Sequence, residues 1–275
     1  MTCIDGLFKP CFPRVCLTLT NIPTGRIGPT LRRMTVDNAA LAPLLVGLCV
    51  FFAASYVQAV TGFGAALVAV PLLLFFTDPA TAVFASTLAG VFISGWASCV
   101  DRHHVSRPLV ARLSGWALAG IPVGLVLITV LPDRALQLII VLVVLTAAAA
   151  EILGERLHPT GRGIDACGFG AGALLASTGI NGPPLVAALR GLAPTAYRAT
   201  LQATFLLQDL VVVVALVLIG HASTTGLLMA VAGLAAIPLG WRIGSRTFTS
   251  LTPAQLRWAI VIGLLAAAAG VLVTG

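Results

Sequence analysis

Long apolar segments alternate with short polar connections along most of the chain. From residue 39 onward, this pattern predicts five apolar helical elements, at 39–59, 62–76, 80–100, 109–131 and 135–152. A second series follows at 164–178, 182–190, 196–219, 223–243 and 254–274, with a small insertion at 242–249. Most of the uncharged runs are long enough to cross the hydrocarbon core of a bilayer, which takes about 20 apolar residues. The pattern therefore predicts an all-α polytopic membrane protein.

The second series repeats the first. Three landmarks recur at a spacing of 115 to 117 residues: Thr61-Gly62 with Thr178-Gly179, Pro79 with Pro194, and Ile121-Pro122 with Ile237-Pro238. We therefore divide the chain into four parts. These are an N-terminal tail at 1–38, a transmembrane repeat at 39–152, a loop at 153–163 and a second transmembrane repeat at 164–275.

An odd number of elements in each repeat predicts that the repeats have opposite orientations in the membrane. If the connection at 101–112 is cytoplasmic, the connections at 153–163, 190–198 and 242–257 lie on the same side. That side holds ten arginines, whereas the loops on the opposite side hold only Arg134. Because this distribution follows the positive-inside rule, we expect two inverted repeats in a multi-pass protein of the inner membrane.

The tail at 1–38 differs from the rest of the chain. Four prolines and five basic residues lie within its first 33 positions. The inverted topology places these charges outside the cell, against the positive-inside rule. Three explanations are open: the tail is translocated, only one of the first two elements crosses, or translation begins at Met34. We favour the start at Met34. Mass spectrometry of the native N-terminus tests it, and detection of a peptide from residues 1–33 would refute it.

Composition and charge narrow the class of protein. The 275 residues are 59% hydrophobic and 9% charged, with a mean hydropathy of +1.05. Soluble domains have about 25% charged residues. The formal charge of +7 is spread over isolated basic residues between apolar segments, so we expect a lipid bilayer and not nucleic acid as the partner. Association into a homo-oligomer is left open.

No pattern of an enzyme or a metal protein stands out. The six cysteines lack the spacing of a zinc site or a disulfide framework, and the chain has no P-loop. An intramembrane hydrolase would need a nucleophile beside a base, whereas Ser177 lacks both a Gly-x-Ser-Gly context and a nearby histidine. We therefore expect no metal, no cofactor and no enzymatic activity.

Each repeat has an interruption between its first two elements. The first apolar run is cut at 58–64, and the second at 177–184. Glycine permits unusual backbone dihedrals, and Pro183-Pro184 cannot lie inside a helix. Both segments therefore predict broken or re-entrant helices. Since unpaired backbone groups in a bilayer must face protein or a wet cavity, two equivalent breaks predict one central site.

A helix that restarts after each break directs free N–H groups and a partial positive charge at this site. The predicted ligand is therefore a small anion, held by backbone and neutral side-chain donors. The alternative is that these small residues only allow tight helix packing. The predicted substrate-binding residues are Gln58, Thr61, Gly62, Gly64, Ser177, Thr178, Gly179, Asn181, Gly182 and Pro183.

Asp209 is the only carboxylate deep within an apolar element. It follows Arg198 by eleven residues, which is roughly 16 Å along a helix. Intramembrane carboxylates are costly and commonly belong to ion or proton pathways. We therefore predict ion coupling at Asp209, with Gln202 and Gln208 on the same element. The alternative is a protonated carboxyl that a neighbouring Gln or Thr holds for packing.

These motifs resemble the sulfite exporter TauE/SafE family, also called the 4-toluenesulfonate uptake permease family. The resemblance covers about 40–274 and rests on five features: 58–64, Ala69-Val70-Pro71, Gly168 to Gly172, 177–184 and the two Ile-Pro-x-Gly segments. It implies a permease for sulfur-containing anions such as sulfite, thiosulfate or organosulfonates.

The predicted function is secondary transport of such an anion, coupled to a gradient or to protons, by two repeats that rock about a midplane site. The alternative is a drug/metabolite-type carrier of neutral or cationic molecules, because five-plus-five topology does not fix the cargo.

Overall fold

A computed structural model describes residues 38–153, 160–189, 191–248, 258 and 261. The tail before residue 38, residues 154–159 of the predicted loop and most of the element predicted at 254–274 lie outside the described residues. The helices are α1 Asn38–Thr61, α2 Ala65–Leu73, α3 Pro79–Asp101, α4 Arg107–Val130, α5 Asp133–Leu153, α6 Arg162–Thr178, α7 Gly182–Leu189, α8 Pro194–Leu218 and α9 Thr224–Phe248. A 3-10 turn at Arg102–His104 follows α3.

These helices correspond to the first nine predicted elements. The largest difference is at the end of α9, which was predicted at 243 and lies at Phe248. The insertion predicted at 242–249 is therefore helical from residue 242 to Phe248. Five of the described helices, α1, α3, α4, α8 and α9, are long and apolar enough to cross a membrane.

Local sequence explains where several helices begin. Asp78 Oδ1 accepts a hydrogen bond from the Thr81 backbone N–H at 2.9 Å, which caps the first turn of α3. Proline stands in the first turn of α4 and of α8, where its missing N–H removes no helical hydrogen bond.

Three helix pairs form the most extensive contacts: α1 with α9, α4 with α6, and α3 with α8. Glycines allow the first two pairs to approach closely. A Cβ added at Gly240 of α9 would lie 2.2 Å from Ser55 Oγ of α1, and one added at Gly172 of α6 would lie 2.2 Å from the Ala117 carbonyl oxygen of α4. Close backbone approach at small residues is a common mode of helix packing in membranes.

Polar contacts join four connections at one end of the helices. The Ser106 N–H donates to Thr200 Oγ1 at 3.0 Å, which brings the start of α4 beside the start of α8. Arg112 Nε donates to Asp165 Oδ1 at 2.6 Å, which links α4 to the start of α6. The Arg198 guanidinium lies 5.2 Å from the ring centroid of Trp241, near the end of α9. These contacts lie beside the four connections for which the sequence predicts a common side of the membrane.

Apolar side chains also cover the outside of the helices. Leu218 is 80% exposed and Val130 is 72% exposed. Polar side chains are instead buried along α3, α8 and the two breaks, including Gln58, Thr87, Asn181, Gln202 and Asp209. This inverted distribution suits a chain whose outer surface faces lipid and whose interior holds a polar site.

Candidate functional site

The first break separates α1 from α2. The Thr61 hydroxyl, at the end of α1, donates to the Val57 carbonyl at 3.0 Å and accepts from the Phe63 N–H at 3.1 Å. Gly62 has φ 81° and Gly64 has φ 103°, and both are in the left-handed region that glycine adopts readily. The hydroxyl therefore closes the end of α1, and the two glycines turn the chain into α2.

The second break, between α6 and α7, has the same construction. The Thr178 hydroxyl donates to the Leu174 carbonyl at 2.7 Å and accepts from the Ile180 N–H at 3.3 Å. Gly179 has φ 74°, and α7 begins at Gly182. Both predicted helix interruptions are therefore present, at the predicted glycines.

The break glycines differ from the packing glycines. A Cβ added at Gly62 would meet nothing closer than Tyr197 Cε1, at 4.0 Å. Backbone conformation, and not lack of space, therefore requires glycine at this position. At Gly179 both requirements apply, because a Cβ would also lie 2.8 Å from Ser86 Oγ. Tight helix packing alone does not account for these glycines.

Both breaks line one cavity. The first turn of α2 lines it at Gly64 to Leu67, and the segment that leads into α7 lines it at Gly179 to Gly182. Helix α3 adds Ser86, Thr87, Gly90 and Ser94, and α8 adds Phe205 and Asp209. The cavity therefore lies where the N-termini of the two short helices meet the central pair α3 and α8.

Five of the ten predicted substrate-binding residues line this cavity: Gln58, Gly64, Gly179, Asn181 and Gly182. Thr61, Gly62 and Thr178 shape the breaks instead, as described above. Ser177 Oγ donates to the Ala173 carbonyl of its own helix at 2.8 Å, and Pro183 lies in the first turn of α7.

Two glutamines of α8 hold the breaks in place. Gln202 Nε2 donates to the Gly62 carbonyl at 2.8 Å, and Gln202 Oε1 accepts from Gln58 Nε2 at 2.8 Å. Six residues further along α8, about one and two-thirds turns, Gln208 Oε1 accepts from Asn181 Nδ2 at 3.0 Å. The breaks therefore contact α8 at two levels, about 9 Å apart for six residues of helix. Both glutamines were predicted to act in ion coupling, and the structure places their amides against the breaks.

Sequence reasoning missed the contribution of α3 to the cavity. Ser86 Oγ and Thr87 Oγ1 donate to the Val83 carbonyl at 3.1 and 2.7 Å, and both residues line the cavity. The signal for them lies in the repeat. In the predicted repeat, helix α3 is the counterpart of α8, and Thr87 and Ser94 stand at positions equivalent to polar residues of α8.

Asp209 also lines the cavity and is 5% exposed. Its Oδ2 lies so close to α3 that a Cβ added at Gly90 would be 2.6 Å away. Within the part of the chain that the structure describes, its carboxyl makes no hydrogen bond or ion pair with a protein group. The alternative prediction was that a neighbouring Gln or Thr holds the protonated Asp209 carboxyl. Among the described residues, no Gln or Thr makes a hydrogen bond to this carboxyl.

The two helix N-termini offer different donors. The first N–H groups of an α-helix have no acceptor within the helix. In α2 these belong to Ala65, Ala66 and Leu67, all of which line the cavity. In α7 the equivalent positions are Gly182, Pro183 and Pro184, and the prolines have no N–H. The α2 terminus therefore presents more backbone donors than the α7 terminus.

No metal centre is visible in the described ranges, where no three His, Cys, Asp or Glu side chains come together. The site thus consists of neutral donors, two helix N-termini and one carboxyl.

Comparison with known proteins assigns the chain to a family. The model of the sulfite exporter TauE/SafE family matches residues 46–271, which include both breaks and Asp209. Neither a curated protein nor a solved structure matches the chain. Because the match spans most of the sequence and the described helices include five apolar spans, this multi-pass membrane protein belongs to the sulfite exporter TauE/SafE family.

Proposed function

We propose that this protein is a secondary carrier that holds a small sulfur-containing anion, such as sulfite, thiosulfate or an organosulfonate, between the N-termini of α2 and α7. The observation that carries this proposal is the shared cavity, which the first turn of α2 and the segment that leads into α7, up to Gly182, both line. A helix N-terminus combines free N–H donors with a partial positive charge of about half a unit, which suits an anion.

The polar side chains around these termini suit an oxyanion as well. Gln58 and Asn181 line the cavity, and each side-chain amide has a second N–H besides the one that it donates to Gln202 or Gln208. Neutral donors can bind an oxyanion and release it again, which a carrier must do in each cycle. Gln202 and Gln208 act indirectly in this account, because they hold the breaks that present the donors.

Inverted repeats are part of the proposal, and the helix contacts support them. In the predicted repeat, α1 corresponds to α6, α4 to α9 and α3 to α8. The contacting pair α1 and α9 therefore corresponds to α6 and α4, which also contact each other, and α3 contacts its own counterpart α8. The Ser106 to Thr200 hydrogen bond brings the end of α3 beside the start of α8. In this equivalent pair the two helices run in opposite directions, which supports inverted repeats.

The same contacts change the expected motion. Rocking of one repeat against the other would separate α1 from α9 and α4 from α6, which are the closely packed pairs. We propose instead that each of these pairs moves as a unit. Each unit takes helices from both repeats, and the two units move around α3 and α8.

Coupling to protons is assigned to Asp209, since among the described residues no other carboxylate lines the cavity. A second candidate function also uses this residue. An ionised Asp209 would attract a cation, as in a drug/metabolite-type carrier of amines. Membership of the sulfite exporter family and the two helix N-termini favour the anion.

Uptake of radiolabelled sulfite into proteoliposomes tests the proposal. We expect saturable uptake that an organosulfonate inhibits and that amines and sugars leave unchanged. Protein-free liposomes give the passive leak, and Leu118→Ala, a change of an exposed side chain, serves as the matched variant control. Inhibition by amines or sugars alone would overturn the anion assignment and support the second candidate.

A further inference from the structure

The carboxyl of Asp209 and the two helix N-termini face the same small cavity. This arrangement is unusual for an anion site, because an ionised carboxylate would repel the anion that the N-termini attract. Like charges in one poorly hydrated site disfavour each other, and one of them normally takes up a proton. The charges around the cavity therefore decide which species the site can hold.

Within the part of the chain that the structure describes, no other charged group lines the cavity. Helices α2 and α7 have no titratable or charged residue among those described. The other helices around the cavity have such residues, but these do not line it: Cys49 and Tyr56 on α1, Cys99 on α3, Arg107 and Arg112 on α4, Arg162, Asp165 and Cys167 on α6, Tyr197 and Arg198 on α8, and His103 and His104 in the 3-10 turn. Arg112 is paired with Asp165, and Arg198 stacks on Trp241. The described residues of the site thus include no cation that could balance both an anion and an ionised Asp209.

From this geometry, and resting on the proposed anion site, we infer that a singly charged anion and one proton occupy the cavity together, with the proton on Asp209, and cross in the same direction without net charge. The proton adds to a carboxylate oxygen as the anion enters. The resulting O–H can donate to the oxyanion, so an opposing charge becomes a donor. On the other side, the O–H bond breaks and both ions leave.

The same balance selects the charge of the substrate. A singly charged anion such as hydrogensulfite or a sulfonate needs only the two helix N-termini and the neutral donors. A doubly charged anion such as thiosulfate would leave one negative charge without a counter-charge in the cavity. We therefore expect the site to prefer monoanions.

Calorimetric titration of the purified protein with sulfite tests this inference. Repeating the titration in buffers with different ionisation enthalpies gives the number of protons taken up for each anion bound. The wild type should take up about one more proton for each anion than Asp209→Asn does, above the pH at which the free carboxyl titrates. Comparison with this variant removes the protons that sulfite itself exchanges. Wild-type affinity should fall by up to about ten-fold for each unit of rising pH, because binding then requires proton uptake.

Asp133→Asn, which changes an exposed carboxylate at the start of α5, is the matched control and should behave as the wild type. Should Asp209→Asn fail to fold, Asp209→Ser replaces it, because serine also lacks a carboxyl and carries a small polar group. Loss of the extra proton in that variant gives the same answer.

The outcomes separate the two proposals. Absence of sulfite binding by the folded wild type would overturn the anion site itself. Sulfite binding with equal proton uptake in the wild type and Asp209→Asn would leave the anion site intact and overturn the shared occupancy. Displacement of sulfite by thiosulfate at equal concentration would overturn the preference for monoanions.

Discussion

The two helix breaks share one backbone design and differ in chemistry. In both, a threonine hydroxyl bonds to the carbonyl four residues earlier and accepts the N–H two residues later. In both, a glycine with positive φ follows, at 81° for Gly62 and 74° for Gly179. The next positions differ, because α2 starts after Gly64 with free N–H groups, whereas α7 starts after Asn181 with two prolines.

Two helix breaks with the same backbone conformation can therefore offer different hydrogen-bond donors and can differ in function. The first break presents mainly backbone donors. The second presents fewer, and its Asn181 side chain bonds to Gln208. Surroundings differ too, since Gly179 packs against Ser86 while Gly62 has open space around it. We therefore expect the second break to be the more sensitive to packing changes and the first to contribute more backbone donors to the anion.

The largest expected effect is on stability at the glycines. Gly179→Ala should lower the free energy of unfolding by about 2–5 kcal/mol, because a left-handed alanine costs about 1–2 kcal/mol and overpacking about 1–3 kcal/mol. Gly62→Ala should lose only the conformational part, about 1–2 kcal/mol. Thermal unfolding in detergent measures both.

Two further variants check the origin of that difference. Gly170→Ala lies in α6 with nothing within 4 Å of the added Cβ, and it should be neutral or slightly stabilising. Adding Ser86→Ala to Gly179→Ala should restore part of the stability, because it removes the Oγ that the new Cβ meets. Equal losses for Gly179→Ala and Gly62→Ala would contradict the difference between the breaks.

A smaller effect is expected at the amides that hold the breaks. Gln202→Ala leaves Gln58 Nε2 and the Gly62 carbonyl without their partner, and Asn181→Ala removes only the bond to Gln208. Each buried polar group left unpaired costs about 1–3 kcal/mol, so Gln202→Ala should lose about twice as much stability as Asn181→Ala.

Chemical denaturation or thermal unfolding would measure this ratio. Thr129→Ala removes an exposed hydroxyl that bonds only within its own helix, and it should have little effect. A greater loss for Asn181→Ala than for Gln202→Ala would mean that the second break, and not the first, depends more on α8.

The smallest expected effect is on anion affinity. Ala66→Pro removes one N–H from the first turn of α2, at the position where α7 already has Pro183. It should weaken sulfite binding by about ten-fold, which corresponds to about 1.4 kcal/mol and is near the lower end of the contribution of one hydrogen bond to a charged group. The reverse change, Pro183→Ala, adds an N–H to α7 and should strengthen binding by a smaller factor.

Titration calorimetry measures both changes. Ala66→Gly keeps the N–H and is the matched control, with sulfite affinity close to that of the wild type. If Ala66→Pro bound sulfite as tightly as Ala66→Gly, the backbone donors of α2 would have no part in the site.

The sequence predicted the helices and both breaks because their causes are local. Apolar runs of bilayer length predict helices, and glycine and proline end them. The end of α9 was less predictable, because Arg242 and Arg246 indicated a connection although arginines can continue a helix at its C-terminus, where they interact favourably with the dipole.

The lining of the cavity depends on tertiary structure, and it was only partly predictable. Thr61 and Thr178 carry hydroxyls that could bind an anion, yet these hydroxyls donate hydrogen bonds to carbonyls of their own helices. Gln202 stands near Asp209 in sequence, yet its amide bonds to the first break. A single sequence shows which polar residues lie in predicted membrane segments. Their hydrogen-bond partners depend on which face of α8 packs against the two breaks, and this is set by the tertiary structure.

The most direct test of the central claim is to locate the anion. Selenite is a pyramidal oxyanion like sulfite, and its selenium gives an anomalous X-ray signal. In crystals of the protein soaked with selenite, the account predicts an anomalous peak between the first turn of α2 and Asn181, beside Asp209. A peak elsewhere, with this cavity unoccupied at selenite concentrations that inhibit sulfite uptake, would contradict it.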